Sequence, residues 1–238
     1  MLHKTRGIVF KTTDYSESSI VVQIFTEKFG LQSYIINGAK KPKAKISRNM
    51  LQPLHLVDMV VYHKAGGNIQ RIRELKNSPV LLTIPYEIIK SCIAMFLNEV
   101  VYKAVKQQTA DENIFDFIFN AIELLDHKTT GVANFHLLFL TQLTRYLGFY
   151  PHGQAADYFD MKDGVFSKYK PDSVQYLSPP HTRNFYLLLQ SNFGTIDELK
   201  LNNDERRYLI NKLLEYYAMH IEGFGNIRSH EVLEEVLG

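Results

Sequence analysis

The chain of 238 residues has one cysteine, Cys92, and no tryptophan. A single thiol excludes an internal disulfide framework and any metal site built from several cysteines. Long apolar runs are missing too. A stretch such as "LLFL" at 137–140 falls far short of the roughly 18 apolar residues that a membrane-spanning helix requires, so no membrane partner is expected. No charged start followed by an apolar run and a small-residue cleavage site is found at the N-terminus. These absences lead to the expectation of a cytoplasmic protein.

Catalytic patterns are also lacking. "GFGNIR" from Gly223 carries two glycines at dinucleotide-loop spacing, but Arg228 replaces the third and the segment follows an expected helix. Phosphate cradling needs a strand-to-helix turn, so this segment reads as a helix end and loop. "HEVLE" from His230 starts like a zinc-protease helix, yet Glu234 stands where the second histidine ligand belongs. No P-loop or nucleophile elbow occurs. Cys92 falls on an apolar helical stripe, where it reads as a small buried hydrophobe. His136, His152 and His220 have no neighbouring ligand set, and the three-residue steps of Asp157, Asp160 and Asp163 do not match a calcium loop. The expectation is a non-enzyme that needs no metal or other cofactor.

What the chain does have is unevenly placed charge. The segment "NGAKKPKAKISRN" at 37–49 holds Lys40, Lys41, Lys43, Lys45 and Arg48 and no acid. Residues 1–80 carry thirteen Lys and Arg against five acids, leaving 14 basic and 20 acidic residues in the remainder of a chain whose formal net charge is only +2. A basic first third joined to an acidic remainder points to a polyanionic partner for the first third, nucleic acid before any other.

Hydrophobic periodicity changes where charge changes. "RGIVFKT", "SSIVVQIFT", "LQSYIIN", "LHLVDMVVYHK" and "IQRIREL" read as five strands, joined by the turn signals "EKFG" and "AGGN". The basic segment falls between strands three and four. Five short strands with one long excursion at that point suit a closed barrel of the oligonucleotide-binding (OB) type. After Pro79 the period becomes helical. Ile89, Cys92, Ile93, Phe96, Leu97, Val100 and Ala104 form one stripe of a helix over 85–108, and Asp111 is placed to cap a second helix. A third helix over 132–147 ends at Gly148. Residues 150–180 are irregular, with Asp163-Gly164 turning a short hairpin, and further helices are expected at 181–192, 204–221 and 230–237, the last two capped by Asn203 and Ser229. The expected class is α+β, with a five-stranded OB barrel over 1–79 and a mainly helical domain over 80–238.

"RGIVFKTTDYSESSIVVQIFTEKFGLQSYIINGAKKPKAK" at 6–45 resembles the opening of the RecO family of bacterial recombination mediators, down to the "G-A-K-K-P" after the third strand. "LQPLHLVDMVVYHK", "LTRYLGFYP" and "IRSHEVLEEVL" resemble the following strand, a later helix end and the last helix of that family, so the likeness extends over nearly the whole chain. It implies binding of single- and double-stranded DNA, annealing of complementary strands, nucleoid association, and work with RecR to load RecA on DNA coated by SSB. Many members carry a four-cysteine zinc site after "L-G-F-x-P". Here "HGQAADYFDMKDGVF" contains no cysteine, so a zinc-free hairpin-like remnant is expected over 150–180.

Residues and resemblance together assign Lys40, Lys41, Lys43, Lys45 and Arg48 to phosphate contact, extended along barrel strands by Arg6, Lys11, Arg71 and Arg73. Tyr15 and Tyr34 are candidate base-stacking rings, whereas Phe29 reads as core. In the acidic helical domain, Arg145 with Tyr146 and Arg206 with Arg207 and Tyr208 are candidates for RecR or the acidic, phenylalanine-ended SSB tail. An RNA-binding factor or a non-catalytic protein adaptor on the same barrel is the competing reading.

Overall fold

A computed structural model describes residues 1–105 and 109–237. The last three residues of the first expected helix, 106–108, lie outside the described residues. The chain forms two compact units, Met1–His127 and Lys128–Gly238.

The first unit begins with five strands, β1 (Leu2–Asp14), β2 (Ile20–Thr26), β3 (Gly30–Ile36), β4 (Leu56–Tyr62) and β5 (Gln70–Asn77). They close into a barrel in the order β1-β2-β3-β5-β4, as the strand count and the long excursion lead one to expect. Alternation fills the interior. Val9, Val22, Ile24, Tyr34, Val57, Met59 and Val61 point inward and are buried, with Ile72 and Leu75 packed against them from β5. At Gly7 the interior has no room for even one more carbon, since a Cβ there would meet Ile24 Cγ2 at 2.6 Å and Met59 Cε at 2.8 Å.

One end of the outer face is also apolar, and two helices cover it. In β1 a bulge at Phe10 interrupts the pairing between Val9 and Lys11. Phe10 stacks on Phe25 at 5.9 Å and meets Tyr102 of α1 (Ile88–Val105) edge-on at 6.0 Å, while Phe25 lies 5.9 Å from Phe115 of α2 (Glu112–His127). Asp111 caps α2 as expected, accepting from the N–H groups of Asn113 at 2.8 Å and Ile114 at 3.2 Å. The α1 stripe differs at its start: Ile93, Phe96, Leu97, Val100 and Ala104 are buried, but Ile89 is exposed and Cys92 only partly covered. Ile89 lies in the first turn, where the chain is still arriving from its tether to Asp126.

That tether holds the entry to α1. The Asp126 carboxylate, buried at the end of α2, accepts N–H bonds from Leu82 at 2.7 Å, Thr83 at 2.8 Å and Ile84 at 2.8 Å. The buried Lys90 ammonium donates to the Asp126 carbonyl at 3.0 Å and the Thr83 hydroxyl at 2.7 Å.

The second unit contains α3 (Phe135–Leu147), a small sheet, α4 (His181–Gln190), α5 (Asn203–His220) and α6 (Ser229–Leu237). The sheet has the order β7-β6-β8, from β6 (Tyr158–Asp160), β7 (Val165–Ser167) and β8 (Tyr176–Leu177). Its hairpin turns at Asp163-Gly164, and Gly148 ends α3 with φ +87°, both as the sequence indicates. The α5 cap is corrected by one residue: Asn202 accepts from the Glu205 N–H at 2.8 Å, and Asn203 is already helical. Aromatic side chains pack the small sheet. Phe159 packs on Phe166 and Phe185 at 4.9 Å each, while Phe149 stacks on His220 at 5.1 Å.

The Asp126 tether gives a stability prediction. Burial opposes ionisation of Asp126, but the N–H bonds from Ile84, Leu82 and Thr83 and the Thr83 hydroxyl outweigh it and hold its pKa below the ordinary 3.8. A depressed folded-state value stabilises fully above the unfolded-state pKa and is lost as pH falls through the folded one. Asp126→Asn is therefore expected to cost about 2–4 kcal/mol at neutral pH in urea unfolding. The gap between the two proteins should narrow from about pH 4 downward; a pH-independent gap would remove the carboxylate from the argument.

Candidate nucleic-acid interface

The basic excursion between β3 and β4 is a built loop. Ala39, Ile46 and Leu51 from it are buried in the barrel core, so the intervening chain must return to the barrel surface. Its turns are local, with the Lys41 N–H bonded to the Gly38 carbonyl at 3.1 Å and the Ala44 N–H to the Lys41 carbonyl at 3.0 Å. Pro42 between them keeps the segment out of any strand ladder. The alternation of buried Ala39 and Ile46 with charged neighbours turns the lysines outward.

A single carboxylate clamps both ends of the lysine run. Asp14, the last residue of β1, meets Lys40 Nζ at 3.2 Å and Arg48 Nη1 at 3.3 Å. Lys40 Nζ also donates to the Ser16 carbonyl at 2.9 Å, and the Lys40 N–H to the Ser18 carbonyl at 3.3 Å. The β1–β2 turn and the basic loop are thereby joined, which brings Tyr15, 62% exposed, beside the lysines. Lys41, Lys43 and Lys45 are exposed and, among the described residues, have no carboxylate within ion-pair distance.

Strand register extends this surface. Thr13, Val21, Ile35 and Arg71 are paired in sequence across β1, β2, β3 and β5, and Lys11, Gln23 and Ser33 form the next row. Directly paired residues share a face. The row between them, Thr12, Val22, Tyr34 and Gln70, points inward, so these two rows point outward. Lys11 and Arg71 are exposed at their edges, with Val21, Gln23, Ser33 and Ile35 half-buried between. The face of strands two and three, flanked by the β1–β2 turn, is the one by which OB barrels take oligonucleotides. Cations at its margins and an uncharged strip between them allow phosphates to lie along the rim and bases across the centre.

Two sequence candidates do not belong to this surface. Tyr34 is fully buried in the barrel core, where burial pushes its phenol pKa well up, and no ring face is left for a base. Strand parity decides it: Ser33 and Ile35 are the outward residues. Arg6 is spent on structure. Its guanidinium bonds Glu27 at 2.8 Å and Asp116 at 2.6 Å and lies 5.1 Å from the Phe115 and Phe119 rings, linking the barrel to α2. Hydrogen bonding to Glu27 is the main reason its pKa is raised. Arg6 lines a separate concavity of about 700 Å³ in which Glu27, Asp58 and Glu74 alternate with Lys4, Lys28 and Lys76. Arg73 is exposed but pairs with Glu74 at 3.3 Å, and it is the extra residue of a bulge in β5 opposite Val60 and Val61 of β4. Phe29 stacks on His63 at 3.9 Å and packs against the core, as expected of it. Asp14, Gln23 and Ser33 were not among the sequence candidates; only the register brings them to this surface.

The sequence matches the model for the Recombination protein O N terminal over residues 1–78 and that for its C terminal over residues 85–229. The chain belongs to the Recombination protein O family. The first match ends one residue after β5, so the whole barrel and its lysine loop lie inside it. Full-length relatives include the DNA repair protein RecO of Azobacteroides pseudotrichonymphae, 34% identical with 99% of each chain covered. Those of Bacteroides fragilis and Flavobacterium psychrophilum are 32% and 34% identical, with 99% and 98% of each chain covered.

In this RecO family member the five helical-unit candidates fall at two places, Arg145 and Tyr146 on α3 and Arg206, Arg207 and Tyr208 on α5. On the last turn of α3, Arg145 donates to the Tyr150 hydroxyl at 2.7 Å and lies 4.0 Å from that ring, with Tyr146 exposed beside it. On α5, Arg206 is taken up by its own helix start, donating to the Leu201 carbonyl at 2.6 Å and to Asn203, while Arg207 is exposed. Burial lowers the Arg206 pKa. Among the described residues no group of three His, Cys, Asp or Glu is placed to hold a metal ion, and no helix is long and apolar enough to cross a membrane.

The Asp14 clamp predicts a local effect. Asp14→Ala should speed tryptic cleavage after Lys43 and Lys45 several-fold while the unfolding free energy changes by less than about 1 kcal/mol, because exposed ion pairs contribute little to global stability. Unchanged cleavage kinetics would mean that Ala39 and Ile46 alone hold the loop.

Proposed function

We propose that this protein is a non-catalytic recombination mediator. In this reading it binds single- and double-stranded DNA without sequence preference and anneals complementary strands. With RecR it helps RecA onto SSB-coated DNA in recombinational repair. The observation that carries the reading is the exposed, acid-free trio Lys41, Lys43 and Lys45, held beside Tyr15 and next to an outward barrel face edged by Lys11 and Arg71. Relatives named DNA repair protein RecO and membership of the Recombination protein O family support the process.

The chemistry is electrostatic and positional. Each lysine that neutralises a phosphate releases condensed counterions, which makes affinity depend on salt and not on sequence. Ammonium groups on flexible stems follow an irregular backbone, whereas base-edge readers such as Gln23 are few. A strand held by its phosphates keeps its base edges free for a complement, which is what annealing requires. Arg145, Tyr146 and Arg207 are the exposed helical-unit residues offered to protein partners, RecR or the SSB tail.

Lys41, Lys43 and Lys45 changed together to alanine should weaken binding of a labelled single-stranded DNA oligonucleotide at least tenfold. The slope of log affinity against log salt should become shallower by about 2. Arg6→Ala should leave that slope unchanged while lowering stability by about 1–3 kcal/mol, and Tyr34→Phe should alter neither slope nor affinity. Fluorescence anisotropy across a salt series measures all of these. Equal affinity for an RNA oligonucleotide of the same sequence would favour an RNA-binding factor, and no binding at moderate salt would favour an adaptor.

A further inference from the structure

A second aromatic and basic surface lies on the helical unit. It is built on the small sheet. Beyond β7 the chain reads Lys168-Tyr169-Lys170, all three exposed, with Tyr169 83% exposed. This exposure is structured: the Ser167 hydroxyl donates to the Tyr169 carbonyl at 2.8 Å and accepts from the Tyr169 N–H at 3.1 Å, so a tight local turn holds the ring out. Lys170 Nζ sits 5.3 Å from the Tyr176 ring, and Tyr176 meets Tyr158 edge-on at 5.9 Å. Tyr158 and Tyr176 are both half-buried.

The chemistry of this patch selects its ligand. A solvent-facing tyrosine between two lysines offers a flat face for a base and an ammonium on each side for the flanking phosphates, the pairing by which single strands are held without sequence preference. A peptide side chain would need a pocket, and Tyr169 stands on an open turn. Of the acids in this segment, Asp160 accepts from the Lys162 N–H at 2.9 Å, while Asp157, beside Tyr158, and Asp172, two residues beyond Lys170, are exposed. We propose that Lys168, Tyr169, Lys170 and Tyr176 form a second contact for single-stranded nucleic acid, made by residues other than those of the barrel surface. The inference rests on the reading of this chain as a nucleic-acid binder and deepens it. Two separate contacts on one chain let it hold two strands at once, or two stretches of one strand, which is the condition for bringing complements together.

The test is ultraviolet crosslinking of the full chain to a single-stranded oligonucleotide carrying 5-iodouracil, with the crosslinked peptides identified by mass spectrometry. Crosslinks are expected at Tyr169 or Tyr176, along with separate ones in the barrel. Tyr169→Ala should remove the first set, and with Lys168→Ala and Lys170→Ala should slow annealing of complementary strands about tenfold. Tyr169→Phe, which keeps the ring, should retain both. Barrel crosslinks with none at Tyr169 or Tyr176, or an unchanged annealing rate in the triple variant, would overturn this second site while leaving the barrel reading intact. Crosslinks in neither place would remove the nucleic-acid reading itself. A patch that captures an acidic peptide and not the oligonucleotide would also overturn the proposal.

Discussion

Everything about the basic surface depends on the closing of the barrel around an apolar core to which the lysine loop itself contributes. Ala39, Ile46 and Leu51 are buried with Val22, Ile24 and Tyr34. A loop of this charge would otherwise extend into solvent under its own repulsion, since like charges a few residues apart gain by separating. Three apolar side chains returning to the core set its path. The Asp14 carboxylate then holds Lys40 and Arg48 against the β1–β2 turn. Those two cations give up part of their availability as phosphate partners. The three between them stay exposed at a fixed place on the barrel. Apolar burial thus decides where the loop runs, and one ion-pair clamp decides which of its charges remain free.

The same partition of roles separates the remaining basic residues of the first unit. Arg6, with two carboxylates and two aromatic rings around it, behaves as a structural rivet between β1 and α2. Guanidinium suits that use because it is planar, permanently charged and weakly hydrated. The lysines of the loop are compact point charges on long stems, suited to a partner whose backbone changes shape. Charge alone does not distinguish these tasks; the number of acceptors within reach does.

Much of the fold was legible from period and punctuation. Five β-branched runs, the helical stripe through Phe96 and Val100, the Asp111 cap, the Gly148 stop and the Asp163-Gly164 hairpin were all marked by local chemistry, and local chemistry suffices for such features. Tyr34 shows the limit. Its strand was correctly read, but which side of a half-buried strand faces inward depends on pairing with β2 and β5, and a one-residue change of parity exchanges the core for the surface. Arg6 and Asp14 fail for another reason. Their partners lie 110 and 34 residues away, so no local pattern records the ion pairs. The Asn202 cap was missed by one place because two asparagines adjoin, and only backbone dihedrals separate the cap from the first helical residue.

The small sheet of the second unit completes the physical picture. A segment of about 30 residues with only short strands usually needs a metal or disulfide to hold its shape. Here Phe159, Phe166 and Phe185 supply a compact aromatic cluster instead, and Phe149, Tyr216 and His220 continue it beneath. Burying a ring contributes about 1.5–3 kcal/mol, so this cluster adds to the hold on strands of two or three residues. An apolar anchor also differs from thiolate ligation in electrostatics, since it brings no fixed charge of its own. The turn beyond β7 carries Lys168 and Lys170 at the surface, in a segment that also holds Asp157, Asp160, Asp163 and Asp172. In that sense the absence of cysteine from this segment and the cationic, tyrosine-bearing turn above it are compatible consequences of one choice of core.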